Sequence, residues 1–449
     1  MMFSKAEEIV GRDYIINDPG RLKDFTVDGK LPRVVVYPAN VEEISQVIKL
    51  ANKEDWTVMP WGAGTKRGMG GIPRKFDMVI SLSRLNRILE LELGNLHFTG
   101  QAGMTLHEAQ ETLAGKGRGY FIRLNPPFSK SATLGGIVAA NSSGPSRFLY
   151  GSTRDMILGI GFVAPNGDII RAGGRTAKNV SGYDIGKLII GSLGTLGIIS
   201  DVTFKFLPLP EKSATLAVIL SSLEDTHDFT SGMLNSNLFP ASIEILNTTA
   251  MHELSMDIPD NGKYVVAICT EGVKESVDRQ LKDVEEMGKG SNAVGVRSYL
   301  GEDHVNFWES LSDFPKIVAE RYPYGIACKS NFLISKPAEM VKLWEDRAIK
   351  NGLSCALISR AGNGVLYSYI LLKDSITEHL DALVNHLEDM TEEAVKRDGN
   401  LVIEFAPIAL KERLSVWGRL RDDFKIMQGL KKQIDPAGIL NPGRFIGGI

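Results

Sequence analysis

A stretch of small residues in the first third of the chain constrains the fold more than any other feature. Residues 125–144 read NPPFSKSATLGGIVAANSSG, with paired prolines, a Gly-Gly pair and few bulky side chains. Glycine lets backbone N–H groups approach a ligand closely, and runs of such groups suit phosphates. A structureless loop of this length is uncommon inside a compact domain unless it is functional. We therefore expect a long loop that forms the floor of a cofactor site, with an ordinary surface loop as the alternative.

Two further glycine-rich segments, residues 62–71 and 191–197, lie beside predicted strands or short helices. One such segment is usually only a turn, whereas three in one compact domain favour a large, elongated ligand such as a dinucleotide. The spacing of Gly62, Gly64 and Gly68 differs by one residue from G-x-G-x-x-G. Residues 191–197 lead from a helix into a strand, which is the reverse of the order in a nucleotide-binding β-α-β unit. The sequence also lacks a G-x-x-x-x-G-K-[ST] motif. A standard NAD(P) domain is therefore disfavoured.

Composition narrows the class of protein. A chain of 449 residues is too long for one hydrophobic core. Its cysteines, Cys269, Cys328 and Cys355, are far apart and form no C-x-x-C pair, so we expect neither an iron–sulfur cluster nor a zinc knuckle from this chain alone. A net charge of −3 without a long basic run argues against nucleic acid as a partner. Without a secretory signal or a membrane-spanning apolar run, we expect a cytoplasmic location, peripheral to a membrane only through partners.

The pattern of predicted strands, helices and turns changes near residue 210. Before it, short β-branched strands alternate with glycine-rich turns, and Asn40 and Thr105 are predicted to cap helices. Asn166-Gly167 predicts a hairpin. After it, strands alternate with longer helices, as in two β-α-β pieces that share one sheet. A final amphipathic helix is predicted over residues 417–434.

The order of the motifs along nearly the whole chain resembles the FAD-binding oxidases of the vanillyl-alcohol oxidase (PCMH-type) superfamily. Within them it is most similar to the glycolate oxidase and D-lactate dehydrogenase branch. The motifs that carry this resemblance are Trp61-Gly62-Ala63-Gly64-Thr65, Pro127, Ala132-Thr133-Leu134-Gly135-Gly136, Asn141, Gly144, Lys178 with Gly182-Tyr183-Asp184, Gly194-Thr195-Leu196-Gly197-Ile198-Ile199 and Asp435-Pro436…Leu440-Asn441-Pro442-Gly443.

The resemblance implies an α+β architecture in three parts. Residues 1–210 would form a PCMH-type FAD-binding domain of two α/β subdomains, and residues 211–410 an α+β, ferredoxin-like cap. Residues 411–449 would pack back on the FAD domain. The residues that the resemblance assigns to FAD are Trp61, Gly62, Ala63, Gly64, Thr65, Pro127, Ala132, Thr133, Gly135, Gly136, Asn141, Ser142, Gly144, Gly194, Gly197, Ile198, Ile199 and Asn441. Some relatives attach the flavin through histidine or cysteine. Residues 61–68 contain neither, so we expect non-covalent FAD.

The cap departs from the pattern that the resemblance implies. Dehydrogenases of this branch carry His-x-Gly-Asp-Gly-Asn-x-His and a later Glu-His-Gly, which hold a divalent metal and supply a base. Here Arg360 and Tyr367 replace both histidines of the first segment, and Phe405 replaces the histidine of the second. Arginine neither ligates a metal nor accepts a proton at neutral pH, so we expect no metal. The catalytic candidates are then Arg360 and Lys329, as cations for a carboxylate or as ordinary structural cations, and Glu404 of the later segment.

These residues leave three hypotheses for function. The first is an FAD subunit of a glycolate oxidase or D-lactate dehydrogenase type complex, which would pass electrons to an iron–sulfur subunit beside a second flavin subunit. The second is a self-sufficient flavin dehydrogenase of another small 2-hydroxy acid, held by Arg360 or Lys329. The third is a flavin-binding scaffold that carries no electrons.

Overall fold

The computed structural model describes residues 2–174 and 184–449 of the chain. The motif residues Lys178, Gly182 and Tyr183 lie outside the described residues. No helix among the described residues is both long and apolar enough to cross a membrane. The strands are β1 Ile15–Ile16, β2 Val34–Val36, β3 Val58–Trp61, β4 Met78–Ser81, β5 Ile88–Glu92, β6 His97–Gln101, β7 Tyr120–Phe121, β8 Ile157–Val163, β9 Ile169–Gly173, β10 Ile198–Lys205, β11 Leu207–Pro208, β12 Lys212–Leu220, β13 Ser242–Asn247, β14 Tyr264–Gly272, β15 Gly295–Leu300, β16 Ile326–Asn331, β17 Cys355–Arg360, β18 Val365–Ile370 and β19 Asn400–Phe405.

Helices from along the chain contribute apolar residues to the cores beside the sheets. They are α1 Met2–Val10, α2 Pro19–Leu22, α3 Val41–Lys53, α4 Leu106–Ala114, α5 Leu134–Ala139, α6 Arg147–Tyr150, α7 Thr153–Met156, α8 Gly186–Ile189, α9 Leu223–Leu234, α10 Thr248–Glu253, α11 Lys274–Gly290, α12 Gly301–Ser312, α13 Phe314–Arg321, α14 Pro337–Lys350, α15 Leu380–Lys396, α16 Ile408–Lys411 and α17 Phe424–Ile434.

The first sheet has the strand order β1-β2-β4-β3. β2 and β3 both run parallel to β4, and the crossover helix α3 joins β2 to β3. The Asn40 side chain accepts a hydrogen bond from the Glu43 backbone N–H, which confirms Asn40 as the N-cap of α3. The first glycine-rich segment follows directly after β3, at the carboxyl end of that strand.

The second sheet is antiparallel throughout, with the order β5-β6-β10-β8-β9. Asn166-Gly167 joins β8 to β9, as predicted, and Gly167 has φ +86°. Thr105 caps α4 in a capping box with Glu108, which confirms that prediction too. α5 packs on β10 at the centre of this sheet. One face of the first sheet shares a core with the second sheet, and the other face of the first sheet packs in a smaller cluster of its own.

A third, eight-stranded antiparallel sheet spans the cap, in the order β15-β12-β14-β13-β17-β18-β16-β19. One face buries apolar residues against α9, α11, α14 and α15. The opposite face packs in part on α10, α12 and α13. The rest of that face meets the N-terminal part of the chain, where Arg123 pairs with Glu271 at 2.6 Å across the junction.

The C-terminal segment returns to the first sheet. The Val58 backbone N–H donates to the Ile439 carbonyl (2.8 Å), and the Asn441 N–H donates to the Val58 carbonyl (2.9 Å). The buried Lys431 ammonium donates to the Asp435 carboxylate at 2.6 Å and to the Thr195 carbonyl at 2.7 Å. The last helix, the third glycine-rich segment and β3 are therefore tied together.

Two predictions of local structure were wrong. Residues 125–144 are not an uninterrupted loop, because α5 forms inside them. Thr133 caps α5 by accepting a hydrogen bond from the Gly136 N–H. The small residues of α5 allow this helix to pack closely on β10. The final helix begins at Phe424 and not at 417, because Gly418 has φ +72° and the Trp417 indole N–H is held by the Arg444 carbonyl.

Candidate functional site

The three glycine-rich segments meet around one cleft in the N-terminal part of the chain. The cleft is open to solvent, and its empty volume, open solvent included, is about 780 Å³. The lining comes from β3 and the loop after it, from the 127–142 stretch, from the third segment and from the chain's end. The lining residues are Met59, Pro60, Trp61, Gly62, Ala63, Gly64, Thr65, Lys66, Arg67, Met69, Pro127, Ala132, Thr133, Gly136, Ile137, Ala139, Ala140, Ser142, Leu193, Asn441 and Arg444.

Close backbone contact fixes the first two segments against each other. A Cβ at Gly62 would lie 2.2 Å from the Thr133 Oγ1, so only glycine permits this approach. Gly64 has φ +70°, and a Cβ there would lie 2.5 Å from the Trp61 ring. Because Thr133 also caps α5, the position of the first loop is coupled to the start of that helix.

The third segment closes the cleft through the C-terminal tail. The Asn441 side-chain amide donates to the Leu193 carbonyl at 2.6 Å, and both residues line the cleft. Gly194 packs against Pro60, where a Cβ would lie 2.9 Å from the proline ring. The three segments are therefore held by direct contacts with one another.

The residues around the cleft fit a dinucleotide that carries a diphosphate. The Ser142 Oγ and the Asn441 Oδ1 are buried polar atoms without a hydrogen-bond partner among the described residues, although both residues line the cleft. Buried polar groups normally have partners, so these two are suited to a polar ligand. The lining includes the cations Lys66, Arg67 and Arg444 and no carboxylate, which favours an anionic ligand.

The structure brings eleven of the predicted FAD residues into the cleft and places seven outside its lining. Those in the lining are Trp61, Gly62, Ala63, Gly64, Thr65, Pro127, Ala132, Thr133, Gly136, Ser142 and Asn441. Those outside are Gly135 (against Ala102), Gly144 (against the Asn125 backbone), Gly194 (against Pro60), Gly197 (against Phe162), Ile198 and Ile199 (buried in β10) and Asn141 (exposed, φ +44°). The role of these seven in binding FAD stays a prediction, and of their contacts only that of Gly194 with Pro60 reaches a residue of the lining.

The three catalytic candidates share one face of the cap sheet. Lys329 pairs with Tyr367 in the register of β16 and β18, and Tyr367 pairs with Ile358 of β17, two residues before Arg360. Paired residues, and residues two apart along a strand, point to the same side of a sheet. Glu404 follows Val402, the partner of Lys329, by two residues and lies on this face too.

This face meets the loops of the N-terminal part of the chain. The buried Arg360 Nη1 donates to the Ser143 carbonyl at 2.9 Å, and its guanidinium lies 4.6 Å from the centre of the Tyr367 ring. The Lys66 ammonium lies 3.9 Å from the Glu404 carboxylate. Burial tends to raise the pKa of Glu404, but Lys66, Lys329 and Arg360 outweigh it and lower the pKa below the usual value. Glu404 is therefore ionised at neutral pH, between cations of both domains.

The sequence reasoning missed a fourth member of this face, Glu244. It is the register partner of Arg360 in β13 and β17, and its Oε1 lies 3.7 Å from the Arg360 Nε. Both carboxyl oxygens are buried without a hydrogen bond among the described residues. Burial raises the pKa of Glu244 to about 8, although Arg360 acts in the opposite direction. The one available signal was a single acidic residue inside the apolar strand ASIEIL.

The positions where the resemblance implies histidines carry side chains of other chemistry. Phe405 is partly exposed and lies against Gly68, where a Cβ would lie 3.0 Å from its ring. Gly362, in the turn after Arg360, lies against the Phe148 ring of the FAD domain. Within residues 2–174 and 184–449, no three His, Cys, Asp or Glu side chains converge on a point that could hold a metal ion.

Comparison with known proteins identifies the two large parts of the chain. Residues 32–173 match the model of an FAD binding domain, and residues 209–445 match that of the C-terminal domain of FAD linked oxidases. The glycolate oxidase subunit GlcD of Bacillus subtilis (strain 168) is 29% identical over 92% of this chain and 89% of its own length. A D-lactate dehydrogenase of Archaeoglobus fulgidus is 26% identical over 92% of this chain and 91% of its own.

Solved structures agree on the fold. p-Cresol methylhydroxylase with substrate bound superimposes with a TM-score of 0.76 at 16% identity, over 99% of this chain and 96% of that one. The 4-ethylphenol oxidase of Gulosibacter chungangensis gives 0.75, also at 16% identity and over the same shares. At such identity the likeness shows the fold alone, and it confirms the predicted α+β, PCMH-type architecture. The chain belongs to the FAD linked oxidases, as an FAD-dependent oxidoreductase of the glycolate oxidase and D-lactate dehydrogenase type.

Proposed function

We propose that this chain is the FAD subunit of a glycolate oxidase or D-lactate dehydrogenase type complex, with FAD held non-covalently in the cleft between the three glycine-rich segments. One observation carries the placement: the segments meet around a cleft that has three cations, two unpartnered polar atoms and no carboxylate. The first cradle, residues 61–68, offers no histidine or cysteine for a covalent bond. One of the relatives is itself named as a subunit.

Bound FAD would supply an acceptor for two electrons, which it can pass on one at a time. In this proposal the electrons leave to an iron–sulfur subunit that works beside a second flavin subunit. Cys269, Cys328 and Cys355 of this chain are all buried, and burial raises the pKa of each thiol above its usual value. A thiol with a raised pKa stays protonated, and a protonated thiol is a poor ligand for a cluster. This supports the proposal that the clusters lie on a partner. Any contact with a membrane would also come through partners.

A second candidate function keeps oxidation of a 2-hydroxy acid in this chain. The observation that favours it is the face formed by Lys329, Arg360 and Glu404. Arg360 and Lys329 would bind the substrate carboxylate, because a guanidinium offers two parallel N–H donors to it. Glu404, ionised by its neighbouring cations, would accept the hydroxyl proton.

Anaerobic flavin spectroscopy on the isolated holoprotein separates the two. The complex proposal predicts that glycolate or D-lactate leaves the flavin oxidised, whereas dithionite reduces it and an iron–sulfur acceptor reoxidises it. Direct bleaching by a 2-hydroxy acid supports the second candidate, provided that Arg360→Gln abolishes bleaching. Arg297→Gln, which changes a partly exposed cation on β15 of the same sheet, should leave it unchanged. Flavin that stays oxidised when the whole complex turns over substrate would favour a scaffold and contradict both.

A further inference from the structure

A buried charge network lies directly beside the first glycine-rich segment. Asp28 accepts from the Lys411 ammonium at 2.8 Å and from the Arg444 guanidinium at 2.9 Å. The three side chains are at most 7% exposed. Asp28 lies in the N-terminal region, Lys411 is the last residue of α16, and Arg444 lies in the C-terminal tail. Three distant parts of the chain therefore meet here.

The two cations bind a run of five consecutive carbonyls. Lys411 donates to the carbonyls of Gly68 (2.5 Å) and Gly70 (3.3 Å). Arg444 donates to those of Arg67 (2.5 Å) and Gly71 (2.6 Å) and also to that of Met69. All the carbonyls of residues 67–71 therefore have a cationic partner, although the segment contains no regular secondary structure.

The same segment is fixed sterically. The Gly71 N–H donates to the Arg444 carbonyl at 3.0 Å. A Cβ at Gly70 would lie 2.4 Å from the Arg444 carbonyl oxygen, and one at Gly71 would lie 2.4 Å from that of Gly443. The loop thus has one arrangement against the tail, and this arrangement places Lys66 and Arg67 in the cleft.

The network also sets the charge beside the cleft. Asp28 compensates one of the two cations, which leaves one net positive charge in a buried site, and Arg444 itself lines the cleft. Carbonyls without such partners would present the negative ends of their dipoles to an anion. Charges act over longer distances where water is excluded, so the network favours an anion in the neighbouring loop.

We propose that Lys411 and Arg444 are positioning residues for the diphosphate of FAD, because they hold residues 67–71 in shape and supply the positive charge behind the first cradle. This inference rests on the proposed placement of FAD in the cleft. It assigns part of the affinity for the cofactor to the end of α16 and to the C-terminal tail, outside residues 32–173 that match the FAD binding domain.

The test compares FAD with riboflavin, which has the flavin ring but no phosphate. Apoprotein of the full chain is titrated with each ligand by flavin fluorescence, for the wild type, Lys411→Met and Arg444→Lys. Lys432→Met, on the exposed side of α17, is the matched control. We expect both variants to raise the Kd for FAD by about tenfold or more, and that for riboflavin by less than about twofold.

The outcomes separate the inference from the placement on which it rests. An unchanged Kd for FAD, or parallel increases for both ligands, overturns the inference, because a role in general stability alone would weaken both. If Lys411→Met does not fold, Arg444→Lys decides, since it keeps the charge and removes only the forked donors. A wild-type chain that binds riboflavin and FAD equally well would instead contradict the placement of the diphosphate in the cleft.

Discussion

Gly62→Ala should break the contact that joins the first two segments of the cleft. The new Cβ would lie 2.2 Å from the Thr133 Oγ1, which must move away and give up its hydrogen bond from the Gly136 N–H. Loss of a threonine N-cap costs about 1 kcal/mol, and overpacking at a close contact costs roughly 1–3 kcal/mol. Together the two costs are about 2–4 kcal/mol. They destabilise the loop and the helix start that line the cleft.

Two measurements follow from this estimate. The affinity of Gly62→Ala for FAD, measured by flavin fluorescence, should fall by about tenfold or more, because a loss of 1.4 kcal/mol is already tenfold. The thermal midpoint of the apoprotein should also fall. Gly429→Ala is the matched control, since a Cβ there meets no atom within 4 Å in the helix α17. It should leave the affinity for FAD unchanged and stabilise the chain by about 0.5–1 kcal/mol.

A double variant tests the cause. Thr133→Ala removes the Oγ1 and leaves its Cβ at 3.3 Å from the new methyl group, a tight but tolerable contact. Gly62→Ala in that background should therefore cost much less affinity for FAD than it does alone. Wild-type affinity in Gly62→Ala, or equal losses in both backgrounds, would refute the reasoning that this contact shapes the cradle.

Three further predictions concern the junction and the tail. The folded Glu244 carboxyl keeps its proton up to about pH 8, whereas its unfolded value is near 4.5, so its contribution to stability is lost as pH rises through this range. Urea unfolding should show that Glu244→Gln becomes more stable relative to the wild type when the pH is raised from 5 to 8.5. The same difference in unfolding free energy at both pH values would contradict this. Lys431→Met leaves the buried Asp435 carboxylate uncompensated and should destabilise the fold by about 3–5 kcal/mol; an unchanged thermal midpoint would contradict the pairing. Gly362→Ala places a Cβ 2.2 Å from the Phe148 ring and should destabilise by about 1–3 kcal/mol, a loss that Phe148→Leu should relieve.

The sequence was informative where structure is decided locally. Asn40 and Thr105 cap helices through their own side chains, and Asn166-Gly167 closes a hairpin by its own backbone preference. The glycine-rich segments were recognisable as a set for the same reason. That they meet at one cleft was an inference from their number, and the structure shows contacts between them, such as Gly62 with Thr133.

Features that depend on distant contacts were not predictable. α5 forms in a stretch of small residues because it packs on β10, which no local pattern reports. The strand β15 and the helices α12 and α13 were not predicted at all. Glu244 reads as one acidic residue in a strand until the register of β13 with β17 places it beside Arg360. Lys411 and Arg444 are likewise 33 positions apart in the sequence, and only the fold brings both side chains to Asp28.

The central claim is that this chain holds FAD non-covalently in the cleft between the three glycine-rich segments. The most direct test is to purify the full chain, record its visible spectrum, precipitate it with acid and identify the flavin in each fraction. The account predicts a yellow protein that releases close to one FAD per chain into the supernatant. A folded protein that is colourless and does not bind added FAD, or a flavin that stays with the precipitate, would contradict it.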